Sequence, residues 1–137
     1  ASMAGKRIEW TEKLLIGVPR IDFEHQIFAD LINSLAERVE QGADRLAIVR
    51  TLREVLKYAE FHFVSEENLM VEANYPRLRE HAAIHQRLLQ TLTAKSMALA
   101  AQEIDERAVL DFLVNWFVEH TAREDPLFAA YVAGPRN

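Results

Sequence analysis

Four stretches of the chain repeat apolar residues at steps of three and four, the pattern of helices that bury one face. The first stretch is expected to begin near Asp22, a residue type that caps helices, and to stop at Gly42. We expect this helix to turn one continuous stripe toward a core. The stripe comprises Ile21, His25, Phe28, Ile32, Leu35 and Val39.

The other three stretches have equally clear ends. The second is expected to begin near Asp44, and Pro76 suits the first turn of the third. Asp105 is expected to cap the fourth, and Pro126 to interrupt its end. Their inward stripes comprise Leu52, Val55, Ala59, His62, Glu66 and Leu69; Leu78, His81, His85, Leu88 and Leu92; and Val109, Leu113, Trp116 and His120.

Four such helices with short connections predict an all-α fold, an up-down-up-down four-helix bundle. No internal repeat is visible, which disfavours an α-solenoid. We expect a single domain over residues 1–137, in which an irregular N-terminal arm, residues 1–20, packs on a bundle spanning about residues 21–131. The scarcity of Gly and Pro, four of each, agrees with long helices.

Charge and cysteine content narrow the function classes. A net charge of −5 without a basic block argues against nucleic-acid binding, which needs clustered Lys and Arg. The chain has no Cys, so any metal must be held by nitrogen and oxygen donors. No apolar run is long enough for membrane insertion and no apolar leader is visible, so we expect a cytoplasmic protein.

Polar residues occupy inward positions on all four stripes, where an unpaired imidazole or carboxylate would cost several kcal/mol. A lone histidine such as His25 is more often a satisfied core residue, and a single i,i+4 polar pair often lies on a solvated face. Taken together, however, all five histidines fit one cluster that a bound cation would satisfy. The candidate ligands are His25, His62, Glu66, His81, His85, His120 and Asp125.

Four segments of the chain carry a resemblance to a known family. They are residues 17–25 (GVPRIDFEH), 62–70 (HFVSEENLM), 81–85 (HAAIH) and 116–125 (WFVEHTARED). In this order they make the chain resemble the hemerythrins, and the bacterial hemerythrin-like domains in particular. The similarity extends over about residues 10–131.

The resemblance implies two iron ions, Fe2+ or Fe3+, with a bridging oxo or hydroxo group. It implies that His81, His85 and His120 bind one iron and that His25 and His62 bind the other. Glu66 and Asp125 would bridge the two. Counted over two octahedral ions, these donors leave one position open, on the iron with two histidines.

By this resemblance we expect reversible O2 binding at the open position, as in an oxygen carrier or store. NO or azide-like small anions are further candidate ligands. Trp116, Phe117 and Thr121 are candidates for the wall of the O2 pocket. Thr121 departs from the apolar residue usual at its position, and we hypothesise that its hydroxyl hastens autoxidation.

Two other functions compete with oxygen transport. The same kind of domain also occurs as an oxygen or redox sensor, which would require a signalling partner domain. A ferritin-like di-iron enzyme is disfavoured, because such sites use Glu-x-x-His pairs and this sequence has none. We therefore expect a binding protein rather than an enzyme.

Overall fold

The computed structural model describes residues 7–134. A short 3-10 turn at Glu12–Leu14 precedes five helices. These are α1 (Pro19–Glu40), α2 (Arg45–Glu72), α3 (Leu78–Ala100), α4 (Glu106–Arg123) and α5 (Asp125–Ala133). Helix α1 packs on α2 and α4, and α3 packs on α2 and α4, so the four long helices form the predicted bundle. Helix α5 continues α4 beyond a break.

The start of α1 differs from the sequence prediction. The helix begins at Pro19 with Val18 as its N-cap, and Asp22 lies within the first turn. The Asp22 carboxylate instead accepts hydrogen bonds from the backbone N–H groups of Ile16 (2.8 Å) and Gly17 (3.0 Å). Proline explains the earlier start, since its fixed φ suits the first helical position. The N-terminal arm is correspondingly shorter than residues 1–20.

Most of the other predicted helix ends are confirmed. Gly42 adopts a φ of +71° just after α1, a conformation that glycine takes without strain. The Asp44 carboxylate accepts from Ala47 N at 2.8 Å, and Asp105 accepts from the backbone at the start of α4. Each cap satisfies an N–H group that has no partner within its helix.

Pro76 was predicted in the first turn of α3, and this is wrong. It lies in the turn before the helix, which begins at Leu78 with Arg77 as its N-cap. The turn closes through a hydrogen bond from Tyr75 N to Met70 O at 2.9 Å, and Asn74 adopts a φ of +56°. Because this tight turn includes Pro76, the proline cannot belong to the first turn of α3.

The interruption predicted at Pro126 is confirmed. Helix α4 ends at Arg123, Glu124 stands between the helices, and α5 begins at Asp125. Proline has no N–H to continue the helical hydrogen bonds, and the break falls at Glu124, two residues before it. This break determines where the Asp125 side chain points.

The arm packs on the bundle through Ile8, which is buried. The Asn33 side chain pairs with Ile8 twice, accepting from its N–H at 2.7 Å and donating to its carbonyl at 2.8 Å. This pairing supports the predicted packed arm for residues 7–18, while residues 1–6 lie outside the described part of the chain. No helix within residues 7–134 has the length and apolar character needed to cross a membrane.

Two apolar clusters fill the bundle. The larger one runs from Phe28 on α1 and Phe63 on α2 toward the far ends of the helices. The smaller one lies at the other end and comprises Ile21, Met70, Tyr75 and Phe128. On α1, His25 falls between Ile21 of the smaller cluster and Phe28 of the larger one, and on α2 Glu66 falls between Phe63 and Met70. The bundle therefore encloses one polar layer between two apolar ones.

Candidate metal centre

The structure brings all seven predicted ligand side chains into this polar layer. None of them is more than 5% exposed, and Glu66 and Asp125 are completely buried. The i,i+4 spacing places His62 with Glu66 on α2, and His81 with His85 on α3. Asp125 follows His120 by five residues, and the break before Pro126 lets its side chain turn into the same layer.

The two carboxylate oxygens of Glu66 face different histidines. Oε1 lies 2.6 Å from Nε2 of His81 and 3.2 Å from Nε2 of His85. Oε2 lies 3.5 Å from Nε2 of His62 and 3.8 Å from Nε2 of His25. Glu66 therefore divides the five imidazoles into two sets and reaches both.

Asp125 makes the same division. Its Oδ1 lies 3.2 Å from Nε2 of His81 and 3.2 Å from Nε2 of His120. Its Oδ2 lies 3.0 Å from Nε2 of His25. We call His81, His85 and His120 the three-histidine half, and His25 and His62 the two-histidine half. Each half receives one oxygen from each carboxylate.

The donor atoms fit a metal better than they fit one another. Among residues 7–134, several buried atoms of the layer have no hydrogen-bond partner: Glu66 Oε2, both Asp125 oxygens, and Nε2 of His85 and of His120. Some of these atoms lie only 3.2 Å apart, yet without hydrogen-bond geometry. Buried polar groups normally find partners, so lone pairs left unpaired together indicate a shared cation.

Metal-binding geometry is present in both halves. Glu66, His81, His85 and His120 each offer a donor atom within 4.8 Å of the others, and so do His25, His62 and Glu66. Imidazole and carboxylate together suit divalent transition metals, iron among them. The residues present therefore fit two ions that share the Glu66 carboxylate.

The charges of the layer shift the protonation of its members. Burial alone would lower the pKa of His62, but its hydrogen bond to Glu24 and the nearby Glu66 carboxylate raise it to about 9. Burial opposes protonation of His81 too, and Asp125 and Glu66 raise its pKa to about 9. Both rings therefore favour the protonated form, which pairs with the neighbouring carboxylates.

The pKa values of the two shared carboxylates, Glu66 and Asp125, shift in the opposite direction. Burial and the Asp125 charge raise the pKa of Glu66, but the hydrogen bond with His81 and the nearby imidazoles of His62 and His85 prevail and lower it. Burial likewise opposes ionisation of Asp125, yet the adjacent His120 imidazole holds the pKa of this carboxyl well below its usual value. Both acids are thus ionised and ready to bind a cation.

Two carboxylates behind the histidines were missed by sequence reasoning. Oε1 of Glu24 lies 2.7 Å from Nδ1 of His62, and Oε2 of Glu67 lies 2.8 Å from Nδ1 of His85. Such partners fix the orientation of a ligand imidazole. Each is next to a predicted ligand in the sequence, Glu24 before His25 and Glu67 after Glu66. That adjacency was the available signal, but it does not show which histidine the acid contacts.

The three predicted pocket residues lie in different surroundings. Trp116 stacks on the His120 ring at 4.4 Å, within the three-histidine half. Phe117 meets the His25 ring edge to face at 5.7 Å, within the two-histidine half. Thr121 is buried, and its hydroxyl donates to the carbonyls of Phe117 (2.8 Å) and Val118 (3.2 Å). The hydroxyl proton is thus engaged by its own helix.

A surface cavity reaches the polar layer at His120. His120 and Trp116 line a cavity of about 170 Å³ together with Glu119 and Arg123. A larger cavity of about 780 Å³ lies between α1 and α2, beside Leu31 and Phe61, and contains none of the seven ligands. The cavity at His120 therefore reaches the centre, despite its smaller volume.

A four-helix bundle with a buried, carboxylate-linked histidine cluster defines a class of metal-binding protein. The model of the hemerythrin HHE cation binding domain matches residues 16–132. The chain belongs to the hemerythrin family. The cation-binding description agrees with the donor set found in the layer.

Named relatives and solved structures agree with this assignment. Bacteriohemerythrin of Pseudomonas aeruginosa strain LESB58 is 29% identical over 128 residues, covering 93% of this chain and 81% of the relative. Myohemerythrin of Riftia pachyptila is 31% identical over 111 residues, covering 81% and 82%. A wild-type hemerythrin crystal structure superposes with a TM-score of 0.82 at 25% identity, covering 89% of this chain and 95% of that one. The prediction from the four segments is confirmed.

Proposed function

We propose that the chain holds two iron ions and binds O2 reversibly at one of them. The observation that carries the proposal is the division of Glu66 and Asp125, each of which directs one oxygen to each half of the layer. A structural single-metal site would not need two shared carboxylates. Two adjacent ions would.

These contacts support an assignment of the residues to two ions. His81, His85 and His120 would hold the first, His25 and His62 the second, with Glu66 and Asp125 across both. When bound, ferrous iron supplies the electrons that reversible O2 binding requires. The chain supplies fixed nitrogen and oxygen donors, and it contributes no thiolate.

The open position belongs on the two-histidine half, because that half has one imidazole fewer for the same number of shared oxygens. Its surroundings are apolar. Phe117 lies 5.7 Å from the His25 ring and Phe28 lies 6.0 Å from the His62 ring, measured between centroids. These two phenyl rings would exclude water from the ligand, which protects a reduced centre from loss of electrons.

Of the three predicted pocket residues, Phe117 has the best support as a wall of the O2 pocket. Trp116 stacks on His120, a ligand of the other half. The Thr121 hydroxyl donates to carbonyls of its own helix α4, so it is not directed at the pocket. NO and azide would compete for the same position, so azide offers a simple probe of it.

The test is a metal count followed by an oxygen cycle. Protein loaded with Fe(II) under argon should retain about two irons per chain. Its visible spectrum should change when O2 is admitted and return when O2 is removed, over several cycles, and azide should suppress the change. One retained metal, or oxidation that is irreversible from the first exposure, would contradict the proposal. Glu60→Gln, an exposed change on α2, is the matched control that should behave as the unaltered protein.

A further inference from the structure

Glu24 is a buried carboxylate on α1 that none of the proposed chemistry uses. It is only 5% exposed, although the neighbouring His25 occupies the inward stripe. Its Oε1 lies 2.7 Å from Nδ1 of His62. Its Oε2 accepts from the Ser65 hydroxyl at 2.8 Å and lies 3.5 Å from Nε of Arg20. Both oxygens are therefore engaged.

A buried charge at this place has a cost that an ordinary core residue would avoid. The hydrogen bonds offset this cost, and they also determine which atom donates and which accepts. With both oxygens accepting, Glu24 fixes the His62 tautomer that carries its proton on Nδ1. In the neutral ring that would bind a metal, Nε2 of His62 then carries the lone pair, and it faces Oε2 of Glu66 at 3.5 Å.

The other histidine of the same half has no such support. Nδ1 of His25 is buried and has no hydrogen-bond partner among residues 7–134. In the three-histidine half the corresponding acid, Glu67, is 32% exposed at its contact with His85. The half with the fewest imidazoles thus has the most deeply buried supporting carboxylate, on one histidine alone.

We propose that Glu24, held by Ser65, is the positioning residue that allows the two-histidine half to retain its metal ion. This rests on the proposed function, because it assumes an ion in that half. Glu24 does not touch the ion. It acts through His62, by holding the ring so that Nε2 points into the layer.

The experiment titrates the metal-free protein with Co(II) under argon, which avoids any dependence on O2. The unaltered protein should bind two equivalents. Glu24→Ala should bind the first Co(II) as before and the second about 10- to 100-fold more weakly, the usual effect of losing a residue that orients a ligand. Glu24→Gln keeps an acceptor for Nδ1 and should restore most of the affinity. Glu60→Gln, on the exposed face of α2, is the matched control.

A double-mutant cycle separates positioning from a general structural role. If Glu24 acts through His62, then Glu24→Ala should have no further effect on Co(II) affinity in a His62→Ala background. An undiminished effect there would overturn the proposal, and so would unchanged or equally weakened binding of both ions. Proton NMR of the Co(II)-loaded protein adds a second readout. The exchangeable Nδ1 proton of His62 should be protected from solvent, and Glu24→Ala should remove that protection.

Ser65→Ala decides the question should Glu24→Ala fail to fold, which circular dichroism would detect. Ser65 donates to the Glu24 oxygen that does not face His62, so its removal should weaken the second Co(II) in the same direction by a smaller factor. Equal Co(II) binding in Ser65→Ala and unaltered protein would then overturn the proposal. If the unaltered protein takes two Co(II) but shows no reversible O2 response, the proposed function fails while this inference still stands or falls on the Co(II) data.

Discussion

The two halves of the metal centre receive the same carboxylates but are built differently. Flat aromatic stacking covers the three-histidine half, with Phe63 on His85 at 3.8 Å and Trp116 on His120 at 4.4 Å. The two-histidine half meets phenyl rings edge to face, and its His62 rests on the buried Glu24. One half is rich in donors, while the other is short of one and surrounded by apolar groups.

The halves also differ in their relation to solvent. The cavity of about 170 Å³ reaches His120, a member of the donor-rich half. Burying the less saturated half more deeply is what a reversible oxygen site requires, because water there would compete with O2 and promote oxidation. The difference teaches that the asymmetry lies in the surroundings as well as in the number of histidines. Five predictions test it, beginning with the largest effect.

Removing a carboxylate shared by both halves should have the largest effect, because neither half would then retain its metal ion. Glu66→Ala takes one oxygen from each half, so both ions should be lost, whereas His85→Ala should affect the three-histidine half first. Metal content after gel filtration, measured by plasma emission spectroscopy, gives the counts. Retention of two metals by Glu66→Ala would show that Glu66 does not bridge. Glu72→Ala, an exposed change later on α2, serves as its control.

Acidity should act on both halves through His62 and His81. Their raised pKa values of about 9 mean that protons occupy these rings at neutral pH when metal is absent. Metal binding must displace those protons, so affinity should rise as the pH approaches 9 and each loading step should release protons. A pH-stat titration with Co(II) at pH 7 measures the release. Metal uptake without proton release would contradict the assigned ligands.

Linkage gives the metal-free protein a stability profile of its own. The raised pKa values of His62 and His81 contribute stability that is fully present below their unfolded value near 6.5. This contribution is lost as the pH rises through about 9. The lowered pKa values of Glu66 and Asp125 contribute in the opposite sense, and theirs is lost in acid. Thermal melts across pH should therefore show greatest stability in mildly acidic solution, and bound metal should move that optimum upward.

Substitutions of Phe117 and Trp116 should differ in their effect on the autoxidation rate, because the two rings contact different halves. Phe117→Ala opens the two-histidine half to water, and the oxygenated form should decay about tenfold faster, a barrier change of roughly 1.4 kcal/mol. Removing this fully buried ring should also cost about 3–5 kcal/mol in unfolding free energy. Trp116→Phe keeps a ring over His120 and should alter the decay little. Faster decay in Trp116→Phe than in Phe117→Ala would reverse the assignment.

Thr121 should give the smallest effect. The sequence led us to hypothesise that its hydroxyl hastens autoxidation, yet that hydroxyl donates to the carbonyls of Phe117 and Val118. Thr121→Val keeps the shape and should change the decay rate by less than about twofold, on the order of 0.4 kcal/mol. A larger decrease in rate would support the original hypothesis. Stopped-flow spectroscopy follows the decay of the oxygenated form, for this variant and for Phe117→Ala alike.

The fold was predictable because buried helical faces leave a periodic pattern. His25, His62 and His81 stood out as polar residues on otherwise apolar stripes, and burial at no more than 3% confirms those positions. The start of α1 was less predictable, since Asp22 could cap a helix or accept from a preceding loop. Pro19 favours the second arrangement, and only the folded backbone shows which one prevails.

Contacts between helices could not be predicted in the same way. Glu24 and Glu67 are two of 21 acidic residues, and both stand off the inward stripes. Nothing in their spacing shows that Glu24 of α1 reaches His62 of α2, because that contact depends on how the helices pack. The break before Pro126 was visible in the sequence. The direction in which it turns Asp125 was not.

We infer that the shared carboxylates create two unequal metal positions, and that the open coordination position lies on the metal ion of the two-histidine half. A crystal structure of iron-loaded protein soaked in azide tests it most directly, with anomalous scattering at the iron edge to locate the metals. We expect two iron peaks spanned by Glu66 and Asp125, and azide bound to the iron held by His25 and His62. A single iron peak, or azide on the iron held by His81, His85 and His120, would contradict it.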